Sequence, residues 1–282
     1  YESYDYRYEY SYATGQNLYK DYDFTVNNTI DNKRGGGARD EYSTRGIISR
    51  INYDFDEKYF ANASYRRDAS SRFHPDKRWG NFWSVGAKWR MTGEDFLKDN
   101  NVINNLTLRA SYGTVGNQDI DWYAARGFYS AGYNYNQIPG MIPTSIANPN
   151  LTWEVSKKFD VGFDLSLLHR LHFTFDFYNS ITSDALFQVP LSMTTGISEV
   201  YQNIGKIRNR GVEFSVNAAL MQRKDFSWNF FANLTWNKNE VIKLSTDDPL
   251  EYTFQIVEEG RPYTQFYMKE YAGVDRETGK PL

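Results

Sequence analysis

Residues 152–168 read TWEVSKKFDVGFDLSLL and carry the clearest indication of the fold. Large apolar side chains stand at alternate positions over most of its length, with polar side chains between them. Successive side chains of a β-strand point to opposite faces, so the pattern predicts a strand with one apolar and one polar face. About five or six residues is usual for a strand of a soluble protein. A strand that crosses a bilayer at a tilt needs roughly nine to eleven, and this stretch is long enough to do so.

The same alternation recurs along the chain and predicts about ten strands, each with one apolar side. We expect them at residues 4–12, 22–26, 47–55, 59–65, 79–89, 106–112, 153–167, 171–177, 212–218 and 226–236. The sequence DNKRGGGARDE at residues 31–41 predicts a glycine-rich loop. Strands of this length and pattern indicate an all-β, antiparallel, up-and-down transmembrane β-barrel.

The lengths of the connections assign the two ends of this barrel. Short connections near Gly15, Asp56, His169 and Arg223 alternate with longer ones that contain Gly36, His74, Trp122 and Pro190. Barrels of the outer membrane have short periplasmic turns and long extracellular loops. The longer connections are therefore expected to face the outside of the cell.

Strand parity assigns the two faces of the barrel wall. The residues expected to face lipid are Trp153, Phe163, Phe175, Phe214, Trp228 and Phe230. The residues expected to face the lumen, where they would hydrate the interior, are Lys88, Arg90, Asp160, Asp164 and Glu213. One residue disagrees, because Lys157 falls on the apolar side near the expected outer end, where a long side chain can reach the headgroup layer.

Composition excludes several classes of protein. The formal net charge is −3, without the basic face that a nucleic-acid-binding protein would show. No stretch approaches the roughly 18 consecutive apolar residues of a membrane helix. No nucleophile, base and acid converge, so we predict neither an enzyme nor a cofactor. His169 with His172, and Asp119 with Asp121, are too few ligands to predict a metal site.

Two other functions stay open on the residues alone. An aromatic-rich β-sheet protein that binds carbohydrate in solution or at a surface would show similar alternation. An outer-membrane barrel with protease or lipase activity would also fit, but it would need a catalytic arrangement that the sequence does not suggest.

Several motifs carry a resemblance to a known family. Residues 66–90 read RRDASSRFHPDKRWGNFWSVGAKWR, residues 148–154 read NPNLTWE, and residues 203–218 read NIGKIRNRGVEFSVNA. SYGTVGNQDI at 111–120 and YAGVDRETGKP at 271–281 fit as well. Together these stretches resemble the SusC/RagA family of TonB-dependent outer-membrane transporters, from about residue 45 to the end of the chain.

The resemblance implies a barrel of about 22 strands around a plug domain. It also implies a SusD-type lipoprotein lid and import of oligosaccharides or peptides, energised by TonB through the plug. Both ends of the chain look cut, so we expect residues 1–282 to form part of the barrel domain, without the plug and without the C-terminal strands. The expected location is the outer membrane of a Gram-negative, Bacteroidetes-like cell.

The long connection at residues 113–150 is the candidate substrate-binding segment. Aromatic side chains on such a loop can stack on sugar rings or pack on a lid, and loops often carry function. The candidates are Trp122, Tyr123, Tyr129, Tyr133 and Tyr135. The alternative is that these side chains pack among themselves and hold the loop in place.

Overall fold

The structure is a computed structural model, and it describes residues 1–18, 29–246 and 248–280. Within these residues nine long strands form the main sheet. They are β1 (Glu2–Leu18), β2 (Thr29–Phe55), β3 (Tyr59–Ser70), β4 (Trp79–Arg90), β5 (Ile103–Asn117), β8 (Glu154–Leu167), β9 (Leu171–Ser183), β12 (Lys206–Arg223) and β13 (Phe226–Lys243). Among the described residues, no helix is long and apolar enough to cross a membrane.

Seven shorter strands lie in the connections of the main sheet or after it. They are β6 (Phe128–Tyr135), β7 (Ile138–Ser145), β10 (Leu186–Pro190), β11 (Glu199–Asn203), β14 (Leu250–Glu251), β15 (Gln255–Val257) and β16 (Gln265–Phe266). β6 pairs with β7, β10 pairs with β11, and the last three form a small sheet of their own.

The main sheet is an antiparallel up-and-down sheet in the order β1-β2-β3-β4-β5-β8-β9-β12-β13. Every strand pairs with the next long strand in the chain, so the hairpins β6–β7 and β10–β11 are excursions at one end. This is the all-β barrel wall that the alternation predicts, and within the described residues the sheet does not close on itself.

The pairing register aligns the apolar side chains into continuous rows across the sheet. Phe163 pairs with Phe175, and Phe175 pairs with Phe214. The rings of Phe163 and Phe175 stack with their centroids 5.6 Å apart. Cross-strand aromatic pairs of this kind contribute roughly 0.2–1 kcal/mol each. We call this side of the sheet the apolar face, and the side that carries Asp160, Asp164 and Glu213 the polar face.

Four successive rows of the apolar face are entirely hydrophobic over β8, β9, β12 and β13. They are Val161–Phe177–Val212–Trp236, Phe163–Phe175–Phe214–Leu234, Leu165–Phe173–Val216–Ala232 and Leu167–Leu171–Ala218–Phe230. A slip of one residue in any strand would place its polar set on this face. The alternation therefore fixes the register as well as the strands.

Tight turns connect β2 to β3, β8 to β9 and β12 to β13 at one end, which we call the short end, and residues 91–102 connect β4 to β5 there. The turn after β2 places Asp56 and Glu57 at φ values of 52° and 48°, and the turn after β8 places Leu168 and His169 at 52° and 53°. Paired positive φ angles give the backbone twist that matches two antiparallel strands. The side chain of Asn104 holds the second turn, because its amide oxygen accepts a hydrogen bond from the backbone N–H of His169.

The structure corrects the predicted boundaries near the N-terminus. Gly15 lies inside β1, and residues 31–41 belong to β2 rather than to a loop. Gly36 pairs with Tyr12, and a Cβ on Gly36 would lie 3.0 Å from the Tyr12 ring. An aromatic ring over a strand glycine supplies the packing that the glycine lacks, so a glycine-rich stretch can be a strand here. The strand predicted at residues 22–26 lies outside the described residues.

The long connections lie at the opposite end, the long end, and pack into two small cores. One core contains Phe73, Phe82, Ile120, Ala125, Leu151 and Trp153, and the other contains Ala185, Phe187, Ile204, Val241, Leu244, Leu250 and Val257. Trp153 is 6% exposed, and its indole N–H donates to the Arg78 carbonyl at 2.8 Å. The prediction that Trp153 faces lipid is therefore wrong, because this side chain precedes β8 and joins the loop core.

Candidate substrate vestibule and polar wall

The β1–β2 hairpin extends the wall beyond the other strands at the long end. β2 has 27 residues, and β1 pairs only with residues 29–46, the part of β2 remote from the short end. On the apolar-face side this extension carries Asp5, Arg7 and Glu41, with an ion pair of 3.4 Å between Arg7 and Glu41. Charged side chains at these positions place this part of the hairpin above any apolar band.

The other side of β1 carries a ladder of tyrosines. These are Tyr4, Tyr6, Tyr8, Tyr10 and Tyr12. The register with β2 places them on the same side of the sheet as Asp160, which is the polar face. Each ring is between 38% and 54% exposed, and adjacent ring centroids of Tyr8, Tyr10 and Tyr12 are 5.8 and 6.4 Å apart. The ladder presents a continuous surface of rings and hydroxyls.

Trp122 anchors the long β5–β8 connection to this ladder. Its ring lies 4.9 Å from Tyr42 and 5.2 Å from Tyr6, measured between centroids. The Arg72 guanidinium lies 4.8 Å from the Tyr42 ring and donates to the carbonyls of Gln118 and Ile120. These contacts hold the start of the connection against the wall, which gives Trp122 a packing role.

Tyr123 makes a second attachment and borders a cavity. Its hydroxyl accepts a 2.9 Å hydrogen bond from the backbone N–H of Glu41, and the Arg126 guanidinium lies 5.5 Å from its ring. A cavity of about 480 Å³ opens between this segment and the β10–β11 hairpin, lined in part by Tyr123, Gln188 and Tyr201. Burial raises the pKa of the Tyr201 hydroxyl, so it stays protonated and can donate a hydrogen bond at neutral pH.

The β6–β7 hairpin carries the remaining candidate aromatics on an exposed surface. Tyr129 is 71% exposed and Tyr133 is 48% exposed. Ile138 and Met141, on the second strand, are also exposed. The side chain of Tyr135 lies outside the part of the structure that is described. Tyr129 and Tyr133 are thus free to contact another molecule, whereas Trp122 and Tyr123 have partners within the chain.

A charged cluster crosses three strands of the polar face. Arg109 on β5 contacts Asp164 on β8 at 3.0 Å and Asp176 on β9 at 2.9 Å. Gly162 stands between Arg109 and Asp176 in the same row. A Cβ at Gly162 would collide with the Asp176 carboxylate and the Phe175 carbonyl. The glycine therefore leaves the gap through which Arg109 reaches a strand that is not its neighbour.

The residues expected to face the lumen share this polar face by register. Lys88 pairs with Arg109, Asp160 lies next to Gly162 along the face, and Glu213 pairs with Asp176. The Lys88 ammonium lies 5.2 Å from the Phe60 ring. Arg90 lies at the short end and pairs with Glu57 at 3.2 Å. Sequence reasoning missed Arg109 and Asp176, although their parity on strands β5 and β9 would have placed them here.

The histidines and the acidic pair make separate local contacts. His169 bonds with Asn104 at 2.8 Å, and His172 bonds with Ser166 at 2.9 Å. Asp119 lies 3.6 Å from Arg72. In the described part of the chain, no three His, Cys, Asp or Glu side chains are grouped as a metal site requires.

Comparison with known proteins assigns the class of this wall. An open antiparallel sheet with one hydrophobic face, short turns at one end and elaborate loops at the other is a segment of a β-barrel. The family model "TonB dependent receptor-like, beta-barrel" matches residues 1–269. The chain belongs to that family, whose members are named as receptors and transporters rather than as enzymes.

Three relatives narrow the likeness within this family. The chain is 36% identical over 271 residues to TonB-dependent receptor P39 of Formosa agariphila, covering 95% of the chain and 26% of that protein. It is 34% identical to TonB-dependent receptor SusC of Bacteroides thetaiotaomicron, covering 86% of the chain and 26% of that protein. A structure of the RagAB peptide transporter aligns with a TM-score of 0.88 at 31% identity, over 99% of this chain and 32% of that one. The chain spans about a quarter of the length of these curated relatives.

Proposed function

We propose that this chain is part of the barrel wall of a TonB-dependent outer-membrane importer of large nutrients, either oligosaccharides or peptides. The observation that carries the proposal is the division of one sheet into an apolar and a polar face in a single register. The apolar face meets lipid, and the polar face lines an aqueous lumen. Substrate passes by displacement of a plug, without chemistry on the wall.

The height of the apolar band supports a membrane location. On β13 the apolar face runs from Trp228 to Trp236, and both indoles are more than half exposed. Eight residues of strand cover ~27 Å, which is ~20 Å along the membrane normal at a tilt of about 40°. An outer-membrane barrel needs an apolar band of ~25 Å between two aromatic girdles, and these two tryptophans stand at the girdle positions.

The same exposure speaks against a soluble carbohydrate-binding protein. Leu234 is 66% exposed and Ile51 is 71% exposed, and both lie in rows of other apolar residues. Soluble monomers rarely expose contiguous apolar patches larger than a few hundred Å². Contact with lipid removes this surface from water, whereas the soluble alternative leaves it hydrated.

The tyrosine ladder and the exposed tyrosines of the β6–β7 hairpin support a vestibule for substrate at the outer end. Tyrosine combines a flat apolar ring with a hydroxyl that donates and accepts hydrogen bonds. A row of five such rings suits a long, flexible substrate that slides, because each contact is weak and is replaced by the next. Both oligosaccharides and peptides have apolar surfaces that can pack on a ring and polar groups that can hydrogen-bond to a hydroxyl. The titles of the RagAB structures name a peptide transporter and importer.

A lid protein at the long end of the wall is also part of the proposal. Tyr129 and Met141 share one face of the protruding β6–β7 hairpin by register, and both are exposed, which favours a protein partner there. The family likeness supports a SusD-type lipoprotein in that role. Coupling to TonB would come through a plug inside the barrel. The polar face would contact this plug, in part through the charged cluster around Arg109.

Uptake measurements with the complete protein that contains this chain test the proposal. Cells that lack the protein should fail to import a fluorescent oligosaccharide or peptide pool, and a protonophore should have the same effect on complemented cells. Replacing Tyr8 and Tyr10 with Ala should lower uptake several-fold, whereas Glu9→Gln, on the other side of the same strand, should not. Unchanged uptake of both pools in the deletion strain would contradict an import function.

A further inference from the structure

We infer that the apolar-face side of β8, β9, β12 and β13 carries, at its outer edge, a binding site for a lipid with an anionic phosphate headgroup. The site is a basic patch formed by Lys157, Lys206, Arg208, Arg210 and Lys238 together with Glu240. The inference rests on the membrane orientation proposed above. It adds a specific lipid contact that the transport function does not require.

The pairing register brings these side chains into adjacent rows on one face. Arg210 pairs with Lys238, Arg208 pairs with Glu240, and Ile181 separates Arg208 from Lys157 in the same row. Lys206 follows in the next row outward. Lys157, Lys206 and Lys238 are exposed, and the two arginines are half-buried. Glu240 is the one acidic residue on this side of these four strands beyond the Trp236 row, and it contacts Lys238 at 3.3 Å.

The height of the patch matches the headgroup layer. The row Phe159–Asn179–Arg210–Lys238 lies directly above the row that ends at Trp236. Below it, the four rows toward the short end are entirely hydrophobic. Arg210 and Lys238 in the row immediately above Trp236 stand where lipid phosphates lie, because tryptophan and tyrosine sit at the headgroup boundary.

The charge is concentrated on one part of the wall. Followed across the sheet, the Arg210 row begins with Ile51, Ala63, Val85, Tyr112 and Phe159, and all of these are uncharged. Long cationic side chains at any boundary can reach for headgroups. If that general tendency were the whole explanation, cations would be spread along the row. On the same side of β2 and β3, Arg45 and Arg67 lie three and two rows farther out than the Arg210 row, and Arg67 lies over the Trp79 ring. The grouping of five cations on β8, β12 and β13 therefore indicates a site for a particular charged group.

The chemistry of the patch selects a phosphate-bearing lipid. Arginine presents a planar fork of donors that matches the oxygens of a phosphate, and lysine adds a mobile point charge. Five cations and one carboxylate leave a formal charge of +4 on the patch. The acyl chains of such a lipid would lie along the hydrophobic rows directly below. Because the patch faces away from the lumen, it is separate from the path of the substrate.

Lipid binding to the complete protein in detergent tests the inference, with short-chain phosphatidylglycerol as the probe and native mass spectrometry as the readout. The wild type should bind phosphatidylglycerol in preference to zwitterionic phosphatidylcholine. Arg208→Gln with Arg210→Gln should weaken binding about fivefold for each charge removed. Glu240→Gln should strengthen it. The matched control is Arg7→Gln with Arg39→Gln, which removes two cations from the hairpin above the membrane and should change nothing.

Several outcomes would overturn the inference. The patch is not a specific lipid site if the wild type binds the two lipids equally. The same conclusion follows if the double variant binds phosphatidylglycerol as tightly as the wild type does. Displacement of the lipid by inorganic phosphate would indicate a free-anion site, and a change of oligomeric state in place of lipid affinity would indicate a protein interface. If the double variant fails to fold, Glu240→Gln decides, since unchanged affinity contradicts the charge argument. Heat-modifiable migration in gel electrophoresis checks separately that the barrel has folded. If the wild type shows no heat-modifiable species, the proposed function is contradicted as well.

Discussion

At the scale of single residues, parity decides which environment a side chain meets. Phe163 and Asp164 are neighbours in the chain but lie on opposite faces of β8. Phe163 lies in a hydrophobic row, and Asp164 lies beside Arg109. In the orientation proposed above, replacing Phe163 or Phe175 with Lys would place a charge in lipid, which costs about 2–4 kcal/mol at the midplane. We expect both variants to lose assembled barrel in outer-membrane fractions, while Asp164→Asn should assemble. Normal assembly of both Lys variants would contradict the assigned faces, and failure of Asp164→Asn would reverse them.

Gly162 provides a second prediction at this scale, concerning the charged cluster. A methyl group at this position would push against the Phe175 carbonyl and separate Arg109 from Asp176. Overpacking against a fixed backbone typically costs about 1–3 kcal/mol. Gly162→Ala should therefore lower the unfolding temperature of the barrel. Gly140→Ala, where a new Cβ would lie 3.5 Å from its nearest neighbour, is the control and should not. Equal stability of the two variants would show that the cluster tolerates the displacement.

At the scale of elements, the β4–β5 connection is tied to the sheet by Glu94. This carboxylate accepts hydrogen bonds from the hydroxyl of Tyr59 and, at 3.1 Å, from the indole of Trp89, and Lys58 lies 3.9 Å away. The Tyr59 hydroxyl, then the Trp89 indole, lower the pKa of Glu94 below its usual value. A carboxyl whose pKa is lower in the folded state stabilises the fold above its unfolded pKa, about 4.3, and loses this contribution as pH falls through the folded value.

The unfolding temperature of the wild type should therefore fall more steeply with acidification below about pH 4.3 than that of Glu94→Gln. The amide cannot titrate, so the variant should start lower at pH 7 and converge with the wild type in acid. Thermal unfolding followed by circular dichroism from pH 7 to pH 3 measures the difference. Parallel curves over the whole pH range would show that ionised Glu94 does not contribute to the stability of the fold.

The long β5–β8 connection gives another prediction at this scale. Trp122 contacts Tyr42 and Tyr6, whereas Tyr129 is exposed. Trp122→Ala should release the connection and increase its cleavage by trypsin, for example after Arg126, because the aromatic anchor is lost. Tyr129→Ala should leave cleavage unchanged and lower substrate uptake. An increase in cleavage only for Tyr129→Ala would exchange the anchoring and binding roles assigned to these residues.

How far the sequence predicts these elements depends on what each pattern can encode. Period-two alternation predicted β3, β4, β5, β8, β9, β12 and β13 and which of their residues share a face, because an apolar and a polar face impose opposite demands on one strand. It did not give the side on which the tyrosines of β1 lie, since that depends on the register with β2 above the membrane. It also missed the pairing of Gly36, which needs Tyr12 from another strand, and the burial of Trp153, which needs a loop core. Contacts between distant segments explain each of these errors.

At the scale of the whole molecule, the sheet has two open edges within the described residues. β1 pairs only with β2, and β13 pairs only with β12. An unpaired backbone group in hydrocarbon costs several kcal/mol, so an open edge cannot remain in lipid. The nine strands must therefore pair with further strands before the wall is stable in a membrane.

Expression of residues 1–282 alone should for this reason give no monomeric barrel. We expect aggregated material, because both edges can pair with other copies. Co-expression with the remaining barrel segment as a separate chain should restore a heat-modifiable species in the outer membrane, whose mass equals the sum of the two. The control is the same pair with Phe163→Lys, which should lose the species although both edges are satisfied. A stable monomer from residues 1–282 alone would mean that nine strands close on themselves, and it would contradict a wall that is completed by other strands.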